Sequence, residues 1–191
     1  MASTSSVKPT LRPGGRSARV QAAVHAAVNE LQAEAGRQAL TVPAIAARAG
    51  VTPSTIYRRW GELADLLADV AIERMRPDME PADTGTLAGD LEAWSEQYMD
   101  EMHSDIGRVM LRDVLAGTGQ PVPCRCYQLI MEQLQTILSR ARDRGEKGLP
   151  KADELMDRIV APIVFRVLFA PAPPEASWLH RRVHAGLARR D

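Results

Sequence analysis

The sequence predicts an all-α protein: a small N-terminal three-helix unit followed by a larger helical body. Three observations carry that prediction. Apolar residues recur at steps of three and four along most stretches between prolines and glycines. Aromatics make up only 4% of the 191 residues, and alanine and leucine dominate the apolar set, which favours helix over strand. No segment alternates apolar and polar residues with the period of a strand.

The elements follow in order. Met1 to Pro13 is rich in Ser, Thr and Pro, is followed by Gly14 and Gly15, and has no apolar core, so residues 1–15 read as a disordered basic arm and not as a signal peptide. Val20, Ala23, Val24, Ala27, Val28 and Leu31 form one helical stripe that stops at Gly36. Thr41 is placed to cap a short second helix with Ile45, Ala46 and Ala49 inward, and Gly50 breaks it. Thr52 is placed to cap a third helix that starts at Pro53 and ends at Gly61. Ala64 to Met75 reads as a fourth helix, and in the helix pattern Pro77 to Thr86 is the expected boundary. Beyond it, Leu87, Leu91, Trp94, Tyr98 and Met102 share a stripe, and Ser104 is placed to cap a helix through Val114. Tyr127 to Ala141 marks a long helix. Two more close the chain: Lys151 to Phe169, bent near Pro162, and Pro174 to Arg189. By role, residues 16–62 form one domain and 63–191 the other.

The longest apolar run, Ile159 to Phe165, is far too short to cross a bilayer, so no membrane partner is expected. The only cysteines, Cys124 and Cys126, are one residue apart and cannot staple distant segments; a reducing cytoplasm fits. The net charge of zero conceals an asymmetry. Up to Trp60 there are eight basic residues (Lys8, Arg12, Arg16, Arg19, Arg37, Arg48, Arg58, Arg59) against Glu30 and Glu34, a charge of +6, and the remainder carries −6. The first part suits a polyanion and the second does not.

Two short helices joined at Gly50 have the spacing of a helix-turn-helix, whose second helix enters the DNA major groove. Ile45, Val51 and Ile56 then face inward and Trp60 anchors the end of the second helix. Thr52, Ser54, Thr55, Arg58 and Arg59 are left outward, with Tyr57 along the DNA backbone. Hydroxyls suit phosphate or base edges, and an arginine can bind guanine bidentately. The alternative for Arg58 and Arg59 is a solvated face, and for Arg12 and Arg16 a solubilising tail.

The stretch LTVPAIAARAGVTPSTIYRRWGELADLL, from Leu40 to Leu67, resembles the signature of the tetracycline-repressor (TetR) family of transcriptional regulators. The resemblance implies a dimeric DNA-binding regulator, most often a repressor released from a palindromic operator by a small-molecule effector, with no catalytic residues and no cofactor. It also implies DNA contacts from Thr41, Thr52, Pro53, Ser54, Thr55, Tyr57, Arg58 and Arg59, with Arg16 in support. The family usually carries a lysine near the start of the fourth helix, where this chain has Leu63; that phosphate contact is then lost or taken over by Arg59 or the N-terminal arm.

In the second part, Trp94, Tyr98, Met102, Met110, Tyr127 and Met131 are candidates for the effector pocket, with His103 and Gln133 as further polar handles. Each is also an ordinary core residue in pattern. Seven of the eight methionines lie beyond Trp60, and methionine suits adaptable pockets. By resemblance the closing helices form the homodimer interface, with Val160, Ile163, Val167, Leu179, Val183 and Leu187 as its apolar residues. No metal is expected: Cys124 and Cys126 lack further ligands nearby, and His180 and His184, at i and i+4, have no acid or cysteine beside them in sequence. A small helical enzyme would need a nucleophile–base pair or ligand cluster that four scattered histidines do not supply. A ligand-independent DNA-binding protein is the nearer alternative.

Overall fold

The computed structural model describes residues 15–76, 79–118, 122–172 and 174–188, with the backbone alone for 122–124. The arm, with Lys8 and Arg12, therefore lies outside the described residues, as does the Cys124 side chain. The described residues are helical throughout, without strand, and divide into two compact units, one ending at Leu66 and one beginning at Leu67.

The first unit holds α1 (Arg16–Ala35), a 3-10 turn (Arg37–Ala39), α2 (Val42–Ala49), α3 (Pro53–Trp60) and the start of α4 (Leu63–Met75). Val24, Ala27 and Val28 of α1 are buried with Ile45, Ala46 and Ile56. Thr41 caps α2 through its hydroxyl, which accepts the Ala44 N–H at 3.3 Å. Gly50 is left-handed at φ 66°, and the Val51 N–H reaches back to the Ala46 carbonyl at 3.0 Å, closing the turn between α2 and α3. Any other residue at Gly50 would strain that turn.

The unit boundary falls inside α4, not at the Pro77–Thr86 break. Ala68, Ala71 and Ile72 belong to the core of the second unit. The segment after α4 also folds back onto it: Arg140 donates to the Pro81 carbonyl and pairs with Glu80 at 2.5 Å.

The second unit continues with α5 (Leu87–His103), α6 (Asp105–Ala116), α7 (Val122–Asp143), α8 (Ala152–Leu155), α9 (Ala161–Phe169) and α10 (Ala176–Leu187). Ser104 caps α6 by accepting the Gly107 N–H at 3.0 Å, and a Cβ at Gly107 would overlap the Glu101 carbonyl, so that corner requires glycine. The start of α5 is tied to the end of α7. Glu146 accepts the Leu87 N–H at 3.0 Å, and Arg144 bridges Glu146 to the buried Asp90 at 2.8 Å. Burial opposes ionisation of Asp90, but the Thr84 N–H and hydroxyl, joined by the Arg144 guanidinium, outweigh it and hold the carboxyl below its ordinary value.

The expected bend near Pro162 takes the form of a π turn over Met156–Val160, in which the Ala161 N–H reaches the Met156 carbonyl five residues back. Proline has no N–H for the regular ladder and its ring crowds the carbonyl four residues earlier, so the wider turn absorbs the mismatch.

The candidate interface residues on these closing helices require correction. Val160, Ile163, Val167, Leu179 and Val183 are at most 2% exposed in the single chain, because they pack into the body's own core against α5 and the π turn. Leu187 packs on the edge of that core. A side chain already covered by its own subunit adds no area to an interface. The outer face of the same helices carries Phe165, 65% exposed, and Phe169, 69% exposed, their rings 5.0 Å apart, with Leu168 and Trp178 half-buried and Arg166 stacked over Trp178.

Candidate nucleic-acid interface and effector cleft

The α3 helix presents two faces with different employment. Inward, Ile56 is fully buried, and the Trp60 ring lies 6.2 Å from that of His25 on α1. Outward, Thr52, Pro53, Ser54, Tyr57, Arg58 and Arg59 are exposed, while Thr55 is half-buried. Thr52 does not cap the helix with its side chain as the sequence suggested. Its hydroxyl bonds the Ser54 and Thr55 hydroxyls at 2.9 and 3.0 Å, a cluster at the helix start that can swap these bonds for phosphate oxygens.

The two adjacent arginines diverge. Arg59 is tied to α1: its guanidinium donates to the Ser17 carbonyl at 3.1 Å, the Ser17 hydroxyl at 2.7 Å and the Gln21 side-chain oxygen at 2.6 Å, and it lies over the Trp60 ring. That anchorage holds Arg59 against α1 while the residue stays exposed. The Arg58 side chain has no hydrogen bond or ion pair among the described residues, and neither has the side chain of Tyr57, which is 53% exposed.

Arg48 is likewise removed from the free positive charge. It bonds Glu34 through both terminal nitrogens, at 2.9 and 2.7 Å, and Glu30 at 3.2 Å, clamping α2 to α1. The guanidinium hydrogen bond holds the Glu34 carboxyl below its usual range. Both acids that precede Trp60 are thus engaged by one arginine. Thr41 and Arg16 are exposed, as expected, and Leu63 is half-buried and apolar.

In the second unit, a cleft with about 60 Å³ of enclosed space lies among α4, α5, α7 and the segment from Met79 to Pro81. Of the six candidate pocket residues, Trp94, Tyr98 and Met102 line it. The other three do not. Met110 is in the body core, Met131 packs half-buried against that core, and Tyr127 is 46% exposed with its hydroxyl donating to Asp153 at 2.7 Å. Of the polar handles, Gln133 lines the cleft and accepts the Trp94 indole N–H at 2.7 Å, whereas His103 is engaged by Arg108.

Sequence reasoning missed Met75, Glu101 and Cys126, which also line the cleft. Helical spacing offered a signal for two of them. Trp94, Tyr98, Glu101 and Met102 share an α5 face, and Cys126, Ile130 and Gln133 share an α7 face. Burial pushes the Cys126 thiol up, and its hydrogen points at the Met75 sulfur 4.0 Å away, so it is a soft wall and a poor nucleophile. His180 and His184 pair with Glu96 at 2.6 Å and Glu92 at 3.1 Å across α5 and α10, and no group of three or more His, Cys, Asp or Glu among the described residues is placed to hold a metal.

Comparison with known proteins decides the family. The family described as bacterial regulatory proteins, tetR family, matches residues 24–70, and the tetracyclin repressor-like C-terminal domain matches residues 81–185. The chain belongs to the TetR family. It is a transcriptional regulator with a DNA-binding helix-turn-helix, formed by α2 and α3. An uncharacterized HTH-type transcriptional regulator of Mycobacterium tuberculosis, Rv1556, is 33% identical over 147 residues, 74% of this chain and 72% of that protein. The HTH-type transcriptional regulator AqdR of Rhodococcus erythropolis is 28% identical over 117 residues, 59% of this chain and 56% of that one. Among solved structures, the TetR family transcription regulator SCO0332 shares the fold with a TM-score of 0.69 at 23% identity, covering 88% of this chain and 97% of its own. These relatives and this fold are those of regulators, and no described helix is long and apolar enough to span a membrane.

Proposed function

We propose that this TetR-family regulator is a ligand-responsive repressor: a cytoplasmic homodimer that holds a near-palindromic operator and leaves it when a small molecule fills the cleft of the body. Residues 16–62 act as the DNA-binding head, preceded by the basic arm of residues 1–15, and residues 63–191 act as the effector-binding and dimerisation body. The observation that carries the reading is the outward face of α3, where Arg58 and Tyr57 stand exposed and unengaged beside an Arg59 and a Trp60 that hold the helix in place.

Arg58 reads a base edge, the Thr52, Ser54 and Thr55 hydroxyls and Thr41 meet phosphate, and Tyr57 lies along the backbone. Arg16, at the start of α1, supplies a further phosphate contact. The two heads are brought together through the outer face of α9 and α10, where Phe165, Phe169, Leu168 and Trp178 offer an apolar patch that a second copy would cover. A ligand in the cleft releases DNA only through a difference in affinity between the DNA-bound and free arrangements, and DNA must weaken ligand binding by the same factor.

Selection of bound duplexes from a random pool tests this reading. The expected product is a near-palindrome with half-sites about one helical turn or a little more apart. A pool that stays random would make the protein a ligand-independent, sequence-tolerant DNA binder instead.

A further inference from the structure

The lining of the body's cleft is biased in charge. Trp94 and Tyr98 stack with ring centroids 5.1 Å apart and planes 7° from parallel, and the Trp94 ring is locked by its indole hydrogen bond to Gln133. The thioethers of Met75, Met79 and Met102 complete an apolar, polarisable wall. Tyr98 is only 9% exposed, yet its hydroxyl has no hydrogen-bond partner among the described residues and is not sealed from the open space beside it. A hydroxyl so placed calls for a partner from the ligand or from water.

The charged members of the wall are both acids. Glu80 is neutralised by Arg140 at 2.5 Å, whereas the Glu101 carboxylate, at the exposed rim, accepts the Gln97 side-chain N–H at 2.8 Å and has no ion pair among the described residues. Among the described residues, no Lys, Arg or His lines this cleft. It also shares Met79, Glu80, Pro81, Leu129 and Gln133 with a wider groove of about 510 Å³ whose own lining adds Arg76, Arg125 and Glu132, so a molecule longer than the cleft has room to extend. Glu101 lines the cleft and not that groove, so a charged end held there stays apart from the groove's arginines.

We propose that the cleft takes an amphipathic organic cation: a flat apolar body against the Trp94–Tyr98 pair and the methionines, an ammonium at the mouth beside Glu101, and a polar atom for the Tyr98 hydroxyl. An anion of the same shape meets an uncompensated carboxylate there, and a neutral one leaves that carboxylate unused. The ring faces add to the preference, since an aromatic π cloud attracts a cation. The inference rests on the reading of the cleft as the effector site.

Calorimetric titration of the full chain with 3-phenylpropylamine, 3-phenylpropanol and 3-phenylpropionate, at about pH 7 where the amine is protonated, isolates the charge on one apolar body. The amine should bind about fivefold tighter than the alcohol, the size expected for one solvent-screened ion pair with a cation–π share, and the acid weakest. Glu101→Gln should bring amine and alcohol to within about twofold of each other. Equal binding of all three, tighter binding of the acid, no binding of any, or a gap that survives Glu101→Gln would each overturn the proposal. Operator release by each probe separates the two readings. Release by the alcohol with no preference for the amine leaves the effector site standing and removes its charge selectivity. A Glu101-dependent preference with no effect on operator binding leaves the cation site standing and removes its regulatory role.

Discussion

Replacing Arg58 and Arg59 in turn with alanine should separate two neighbours of identical chemistry into a DNA contact and a structural clamp. Arg59 makes three hydrogen bonds to Ser17 and Gln21 on α1 and covers the Trp60 ring. Each such bond is worth about 0.5–1.5 kcal/mol net, and the exposed setting places the sum near the low end, so Arg59→Ala should cost the head roughly 1–2 kcal/mol of stability. Arg58 touches nothing it would lose, so Arg58→Ala should leave unfolding within about 0.5 kcal/mol of the parent. On the operator the order reverses. Losing a bidentate guanine contact costs about 1–3 kcal/mol, while Arg59→Ala should weaken operator and random duplex alike, through a looser α3. Urea unfolding and fluorescence anisotropy on both duplexes read the two quantities independently. If Arg59→Ala left unfolding untouched and abolished operator preference, the clamp would be wrong. If Arg58→Ala left binding unchanged on both duplexes, the assignment of the α3 face would go with it.

Three other outcomes are expected. Operator binding should weaken steeply with salt despite the neutral whole-chain charge, because local cations set the counterions released, and truncation before Arg16 should flatten the log–log slope in a salt-series anisotropy titration if the arm touches DNA. Phe165→Asp should yield a folded monomer by sedimentation, since that ring is 65% exposed, whereas Val183→Asp buries a charge in the body core and should unfold the body by circular dichroism; a dimeric Phe165→Asp protein would put the interface elsewhere. Asp90 is held below its ordinary carboxylate value, so its contribution is complete above the unfolded value of about 3.9 and is lost as pH falls through the lower folded value; the melting-temperature gap between the parent and Asp90→Asn should be widest near neutrality and close in acid.

Much of this molecule is decided by local chemistry that a sequence displays. Gly50 requires a left-handed turn, Pro53 suits a first helical position, and Thr41 and Ser104 cap helices that begin immediately after them. Apolar spacing then places Ile45 and Ile56 inward whatever they pack against, and so leaves Thr52, Ser54, Tyr57 and Arg58 outward. These are short-range consequences of backbone geometry, and the DNA-facing helix is built almost wholly from them. Tertiary structure decided everything that depends on which neighbour arrives across space. It turned Arg59 back onto Ser17 and Gln21, closed Arg48 over Glu30 and Glu34, and moved the division between the units into α4. It also settled which face of α9 and α10 looks outward. An apolar residue in a helix says that it will be covered but not by what. Val160, Ile163, Val167, Leu179 and Val183 are covered by their own chain, while Phe165 and Phe169 on the opposite face stay exposed. The cleft shows the same division: periodicity can place Trp94, Tyr98 and Met102 on one stripe, but only the packing of α4 and α7 against α5 brings Met75, Cys126 and Gln133 to face them beside Glu101.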